Sequence, residues 1–161
     1  MKKGILLVTL MLNGKIKYMT IEKQVLSIEQ MKHLQELGVD TSDASMYWVR
    51  AKRIIGKQRN DFLGNEMGKW RLSLSKSIVL PAAWTVESVP TYTIGDIIEK
   101  LPIEIGTLNR GIVIQRSYVG AGYIKDNISP VSFSNSSLLE SLYNLLCWLA
   151  ENHKEILDVK K

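Results

Sequence analysis

The most regular hydrophobic pattern lies near the end of the chain, in SLLESLYNLLCWLAENHKEIL at residues 137–157. Leu138, Leu142, Leu145 and Leu149 recur at helical spacing, and Leu139, Leu146, Trp148 and Ile156 widen the stripe. That period predicts a long amphipathic helix with one face buried. Ser137 with Glu140 three residues on predicts a capping box, hydroxyl and carboxylate each serving a free amide of the first turn. Glu140 near the start and Lys154 near the end suit the helix dipole.

Upstream the period changes several times. Ser27 and Gln30 form a second capping box ahead of Ile28, Met31, Leu34 and Leu37, and Gly38 supplies a C-terminal stop. Residues 45–55, with Tyr47, Trp48, Val49, Ile54 and Ile55, predict a strand, and residues 57–68 a polar loop. Residues 69–75 alternate, Trp70, Leu72 and Leu74 against Arg71, Ser73 and Ser75. They predict a half-buried strand antiparallel to the previous one, which residues 78–80 extend. Residues 81–90, bounded by prolines, read as a connector. Thr93 and Asp96 cap a short helix whose apolar side is Ile94, Ile97, Ile98 and Leu101 and which Pro102 ends. Ile112-Val113-Ile114 predicts a central strand within residues 110–116. Residues 120–125 are its hairpin partner and 131–133 a short last strand.

The order is helix-β-β-helix-β-β-helix. The predicted fold class is α+β: a single domain with an antiparallel sheet of about 4–5 strands and the long C-terminal helix on one face. The domain spans residues 19–157, with 158–161 as a tail. The helix is expected to pack on Leu72, Leu74, Ile112 and Ile114. Residues 1–18 stand apart. Their apolar run at 4–12 is too short to span a bilayer as a helix and precedes no small-residue cleavage site. They read either as a hairpin turned by Asn13-Gly14 or as an extension ahead of a start at Met19.

The length of 161 residues fits one domain, and 45% hydrophobic with 23% charged residues is an ordinary globular composition. The net charge of +5 is uneven. Residues 1–76 hold 14 Lys/Arg against 7 Asp/Glu, and residues 77–161 hold 7 against 9. Lys2, Lys3, Lys15 and Lys17 account for much of the excess, so the basic character is weak evidence for a nucleic-acid partner. Cys147, the single cysteine, suits a reducing cytoplasm and reads as a small buried hydrophobe.

Three phrases together carry a resemblance: TIEKQVLSIEQMKHLQELGVDTSDASMYWVR, PTYTIGDIIEKLP and SLLESLYNLLCWLAENHKEIL. They resemble a group of small uncharacterised proteins encoded in prophages and mobile elements of gut Bacteroidales, over residues 20–157. Members of that group begin close to the TIEKQ phrase. The resemblance implies a bacterial or phage cytoplasmic setting and assigns no catalytic or binding residue.

No catalytic motif is legible. The two histidines, His33 and His153, both fall on predicted helices, and there is no G-x-S-x-G, H-E-x-x-H, C-x-x-C or G-x-x-x-x-G-K. Gly120-Ala121-Gly122 lies within a hairpin and reads as a bulge or close strand contact. Asp40, Asp43 and Asp96 read as turn and cap residues. The expectation is a non-enzyme without metal or cofactor. One charged constellation remains: Arg50, Lys52, Arg53, Lys57 and Arg59, five cations within ten residues, with Tyr47, Trp48 and Trp70 close by. Cations beside aromatic rings can serve phosphates and bases. The bland alternative is a solvated hairpin tip with its tryptophans turned inward. Two functions follow: an accessory module that binds a host or phage protein, or a nucleic-acid-binding accessory protein that uses the basic hairpin at 50–59. No membrane partner is expected.

Overall fold

The computed structural model describes residues 9–12, 15–18, 23–53, 68–77, 84–114, 119–126, 128–135 and 137–158. Within them the chain is α+β with antiparallel pairing throughout. Strands β1 (Thr9–Leu12) and β2 (Lys15–Tyr18) pair with each other as a two-stranded sheet of their own. Helix α1 (Ile28–Glu36) follows, then β3 (Met46–Arg53), β4 (Arg71–Ser73) and β5 (Trp84–Thr91), a three-stranded sheet in the order β4-β3-β5. Helix α2 (Ile94–Lys100) leads to β6 (Glu104–Ile105), β7 (Leu108–Ile114), β8 (Val119–Lys125) and β9 (Ile128–Asn135), a four-stranded meander. Helix α3 (Leu138–Asn152) and the short α4 (Lys154–Asp158) complete the described chain. The strands thus divide between two larger sheets and a hairpin, where the sequence predicts one sheet.

Local chemistry sets two of the helix starts. Ser27 Oγ accepts from the Gln30 amide at 3.2 Å while Gln30 Oε1 accepts from the Ser27 amide at 2.9 Å. Thr93 and Asp96 repeat the exchange at α2. Gly38, at φ +80°, ends α1 in the left-handed region that glycine tolerates. At α3 the predicted box is not formed: Ser137 makes no capping hydrogen bond through its side chain. Glu140 is engaged elsewhere, its carboxylate accepting from Gln30 Nε2 of α1 at 2.9 Å. Helix α3 also stops at Asn152, and the Lys154 side chain lies against Gly38 just beyond the end of α1. Its charge therefore sits at the C-terminal end of α1.

The core is where the helices meet the meander. Leu142, Leu145, Leu146 and Leu149 are fully buried, together with Tyr92, Ile97, Leu101 and Tyr123. Helix α3 lies on β8 and β9 and beside α2. Ser141, buried in the same face, donates to the Val119 carbonyl at 3.2 Å and so ties α3 to β8. The expected bed of Leu72, Leu74, Ile112 and Ile114 is not what the helix covers. Leu74 is 80% exposed and Ile112 37%, while the Ile114 side chain lies outside the described residues. Leu74 follows the end of β4, so strand alternation no longer fixes its face.

Two further expectations change. Residues 84–91 are strand β5, paired with β3 from Met46↔Thr91 to Arg53↔Trp84. They lack clean alternation and carry Pro90, which suits an edge strand. The run Ile112-Val113-Ile114 is not central either. Strand β6 pairs with β7 only at Leu108 and Asn109, and the Arg110 amide donates to the Ile103 carbonyl at 2.7 Å. Beyond that, among the described residues, nothing pairs with the outer side of β7. The loop at 57–67 and the extension at 78–80 lie outside the described residues.

Candidate functional site

The basic constellation is resolved by strand register. Cross-strand neighbours of Trp48 are Leu72 on β4 and Val89 on β5; two residues on, Arg50 stands opposite Glu87. Running the β3–β4 register back by two puts Trp70 on the other flank of Arg50. The side chains meet accordingly. Arg50 Nη2 lies 2.8 Å from Glu87 Oε2, Arg50 Nε donates to the same oxygen at 2.9 Å, and the guanidinium sits 4.5 Å from the centroid of the Trp70 ring. Trp48 turns inward, its Nε1 donating to the Leu26 carbonyl at 2.9 Å. One cation and two of the three aromatic rings are therefore engaged within the fold. Lys52 and Arg53 stand on β3 opposite Thr85 and Trp84, with side chains outside the described residues. Lys57 and Arg59 lie outside the described residues.

Arg50 and Glu87 are each more than one-third exposed, so solvent screens the pair. Arg50→Ala is expected to lower stability by about 1 kcal/mol, counting the ion pair and the cation–π contact together. Denaturant titration of the two proteins checks this. A loss several times larger would mean that the pair organises the sheet.

A second polar cluster joins the turn after α1 to α2. The single proton of the Tyr92 hydroxyl is shared between Asp43 Oδ1 at 2.6 Å and the Asp40 carbonyl at 2.7 Å. Lys100 Nζ donates to Asp43 Oδ2 at 2.8 Å and also to the Asp40 carbonyl. Asp40 Oδ1 in turn accepts from the Ser42 amide at 3.0 Å. Ion pair and phenol fasten the 40–43 turn to α2, a structural task that accounts for every polar atom named. Asp96 is likewise the cap of α2.

A third cluster lies between α1 and α3. The Tyr143 hydroxyl and His33 Nδ1 share a hydrogen bond of 2.7 Å, and Cys147 Sγ is 3.8 Å from the same nitrogen. A cysteine beside a histidine is the arrangement of a thiolate nucleophile. Here burial pushes the Cys147 thiol up, against a smaller opposing effect of its hydrogen bond with Tyr143. That favours the thiol over the reactive thiolate. Sequence spacing hides this trio, because His33 and Cys147 are 114 positions apart. Among the described residues, no group of three or more His, Cys, Asp or Glu is placed to hold a metal ion.

Burial raises three phenols. It holds Tyr92 and Tyr143 above their ordinary range, with Asp43 reinforcing the effect at Tyr92, and Tyr123 is pushed up to about 12. An unfolded phenol titrates near pH 10, as a rough value. Between that value and the folded one the unfolded chain has lost protons that the folded chain keeps. Stability is thus fully present below about pH 10 and falls as pH rises further. Guanidinium midpoints measured at successive pH values are expected to fall in that window. A flat profile would mean that these phenols ionise without cost to the fold.

The glycines of β8 serve close approach. A Cβ on Gly122 would stand 2.3 Å from the Val131 carbonyl oxygen of β9. The last constellation is the open side of β7. Since the Arg110 amide points toward β6, alternation points the amides of Ile112 and Ile114 the same way, into the unpaired side. Pro102 precedes the β6 turn, and its carbonyl accepts from the Tyr123 hydroxyl at 3.0 Å. Helix α2 runs to Lys100 with Leu101 as its C-cap, so no strand residues precede Ile103 to extend β6 along β7. Ile112 and Val113 are each 37% exposed, and Ile103, at the end of the gap, 73%. The apolar character of residues 112–114 was visible in the sequence; that they form an edge was not.

No described helix is long and apolar enough to cross a membrane. Comparison with protein-family models, curated proteins and solved structures finds no match to this chain.

Proposed function

We propose that the chain is a small, non-enzymatic cytoplasmic accessory protein, of the prophage and mobile-element kind its phrases resemble, that binds another polypeptide through the open edge of β7. The observation that carries the reading is the contrast between this edge and the others in the two larger sheets. Strand β9 carries Pro130, and β5 carries Pro90 and Glu87. Strand β4 is three residues long, and the part of β3 that outruns it carries Arg50, Lys52 and Arg53. Proline, charge and shortness are the usual protections of a strand edge. Gly111-Ile112-Val113-Ile114 carries neither proline nor charge. An exposed edge with unpaired amides is the template for strand addition, where main-chain bonds supply affinity and alternate side chains supply selectivity.

The nucleic-acid reading draws less support. The engagement of Arg50 by Glu87 and Trp70 removes a charge and a ring from the surface it requires. The test compares the wild-type chain with Ile112→Lys in two assays. One is self-association by sedimentation; the other is capture from a gut Bacteroidales lysate, alongside titration with short DNA and RNA at several salt concentrations. Association or capture that is lost in Ile112→Lys is expected, with no salt-sensitive binding of nucleic acid. Nucleic-acid binding that weakens steeply with salt and ignores Ile112→Lys would replace this reading with the basic-hairpin one.

A further inference from the structure

We infer that His33 and Cys147 together bind one soft metal ion, Cu(I) being the ion their donors fit best, and that the ion bridges α1 to α3. The site is independent of the β7 edge. Cys147 Sγ and His33 Nδ1 lie 3.8 Å apart on two different helices. With roughly 2.3 Å from metal to sulfur and 2.0–2.1 Å from metal to imidazole nitrogen, an ion between them subtends an angle of about 120°. That is an ordinary angle between two ligands, and it asks neither helix to move.

Matched spacing brings the two atoms together. On α1, Gln30 and His33 are three residues apart; on α3, Tyr143 follows Glu140 by three and Cys147 follows Tyr143 by four. Such spacings put each set on one face of its helix. The two faces meet in two rungs. Gln30 Nε2 donates to Glu140 at 2.9 Å. One turn on, His33 Nδ1 meets the Tyr143 hydroxyl at 2.7 Å, with the thiol beside it. The first rung holds the helices at the separation the second requires. His33 is exposed and Cys147 half-buried, so an ion can reach the sulfur from solvent.

The hydrogens of the cluster leave room for an ion. Both the Tyr143 phenol and the Cys147 thiol are held in their protonated forms, chiefly by burial, and both lie beside one nitrogen lone pair. Only one of these donors can use it. Besides burial, Glu151 and Glu140 oppose a bare thiolate at Cys147. The sulfur therefore calls for a positive partner, which is a proton in the free protein and the metal ion in the loaded one. On loading, the thiol proton leaves to solvent and sulfur and nitrogen take the ion. The Tyr143 hydroxyl then turns to the sulfur, with which it already hydrogen-bonds, as an outer partner of the ligand.

The donor set selects the ion. A thiolate with an imidazole suits Cu(I) or Zn(II), whereas Mg2+ and Ca2+ require oxygen ligands. Glu140, which would be an oxygen donor on this face, is occupied by Gln30. Structural Zn(II) takes four ligands. Among the described residues no group of three or more His, Cys, Asp or Glu is placed for a metal, so Zn(II) would be left short while a low-coordinate ion is served.

The test titrates the full chain with Cu(I), supplied as its bicinchoninate complex without oxygen, and reads transfer as loss of the complex's colour. The wild type is expected to take one ion. Cys147→Ser and His33→Gln are each expected to lower the affinity by about tenfold or more. His153→Gln, at the other histidine, is expected to bind as the wild type does. The ion would tie residues 114 positions apart, so the thermal midpoint of the wild type should rise with Cu(I). Circular dichroism verifies that the variants are folded. If Cys147→Ser or His33→Gln is not, nuclear magnetic resonance of the wild type with Ag(I), a diamagnetic soft ion, decides instead. The His33 ring and Cys147 β-carbon signals should shift together at one equivalent, with those of the His153 ring unchanged. Binding that ignores His33→Gln, or that leaves the His33 ring signals unmoved, is adventitious capture by a thiol and overturns the site. A wild type that takes no Cu(I) overturns it too. So does a midpoint unchanged at saturation, since the folded pair would then hold the ion no better than the unfolded chain.

Discussion

Leu142→Ala is expected to lower the stability of the fold by about 2–5 kcal/mol, the range for a fully buried leucine. Leu142 has no exposed surface and sits on the face of α3 that covers β8 and β9. It belongs to a core built by side chains from separate elements. Tyr123 of β8, Ile97 of α2 and Leu145, Leu146 and Leu149 of its own helix are all fully buried in the same core. Side chains fixed on strands and helices that run in different directions cannot all move to fill a methyl-sized void. The cavity therefore persists and adds to the lost transfer free energy. Chemical denaturation with matched slopes measures the difference. A loss below about half a kilocalorie per mole would mean that Leu142 is not in the core described here.

Gly122→Ala is expected to destabilise by a few kcal/mol, on the order of the cost of overpacking a rigid site. The added methyl would meet the Val131 carbonyl at 2.3 Å and the Ser132 Cα at 2.9 Å, both main-chain atoms of the neighbouring strand. Side chains can rotate away from a clash, but a paired strand must shift as a unit. Gly111 gives the internal comparison. A methyl there would meet the Ile124 Cδ1 at 2.2 Å, the far end of a side chain that can turn. Gly111→Ala should therefore cost clearly less than Gly122→Ala. Parallel denaturation curves would reveal the order. Equal losses would mean that β9 yields as readily as a rotamer does.

Features decided by a few neighbouring residues were legible in the sequence. The Ser27–Gln30 and Thr93–Asp96 boxes formed because each needs only the first turn of its own helix. At Ser137 no cap bond forms, and the Glu140 carboxylate is held by Gln30, more than a hundred positions away. The candidate site followed the same division. The cation cluster was plain, but the neutralisation of Arg50 required Glu87, and Glu87 lies in a segment read as a connector. Pro90 and the mismatched faces of Val86 and Val89 conceal β5, and with it the partner of Arg50. The β7 edge was hidden for another reason. An apolar run of three residues looks alike at the middle of a sheet and at its margin. The difference here is made by α2, which runs to Lys100 and leaves β6 no residues to cover 111–114.

The Leu26 backbone sets a limit on how far the chain can be shortened. Its carbonyl receives Thr91 Oγ1 at 2.7 Å and Trp48 Nε1 at 2.9 Å, and its amide donates to the Tyr92 carbonyl at 2.9 Å. The backbone of one residue thus clasps β3, the end of β5 and the entry to α1. A chain trimmed to begin at Met19 keeps that clasp. One trimmed a further eight residues, to begin at Ser27, would lose it just where the first helix begins. Thr91, fully buried, would then hold a hydroxyl with no acceptor. A shortened chain that keeps this clasp must therefore begin upstream of α1.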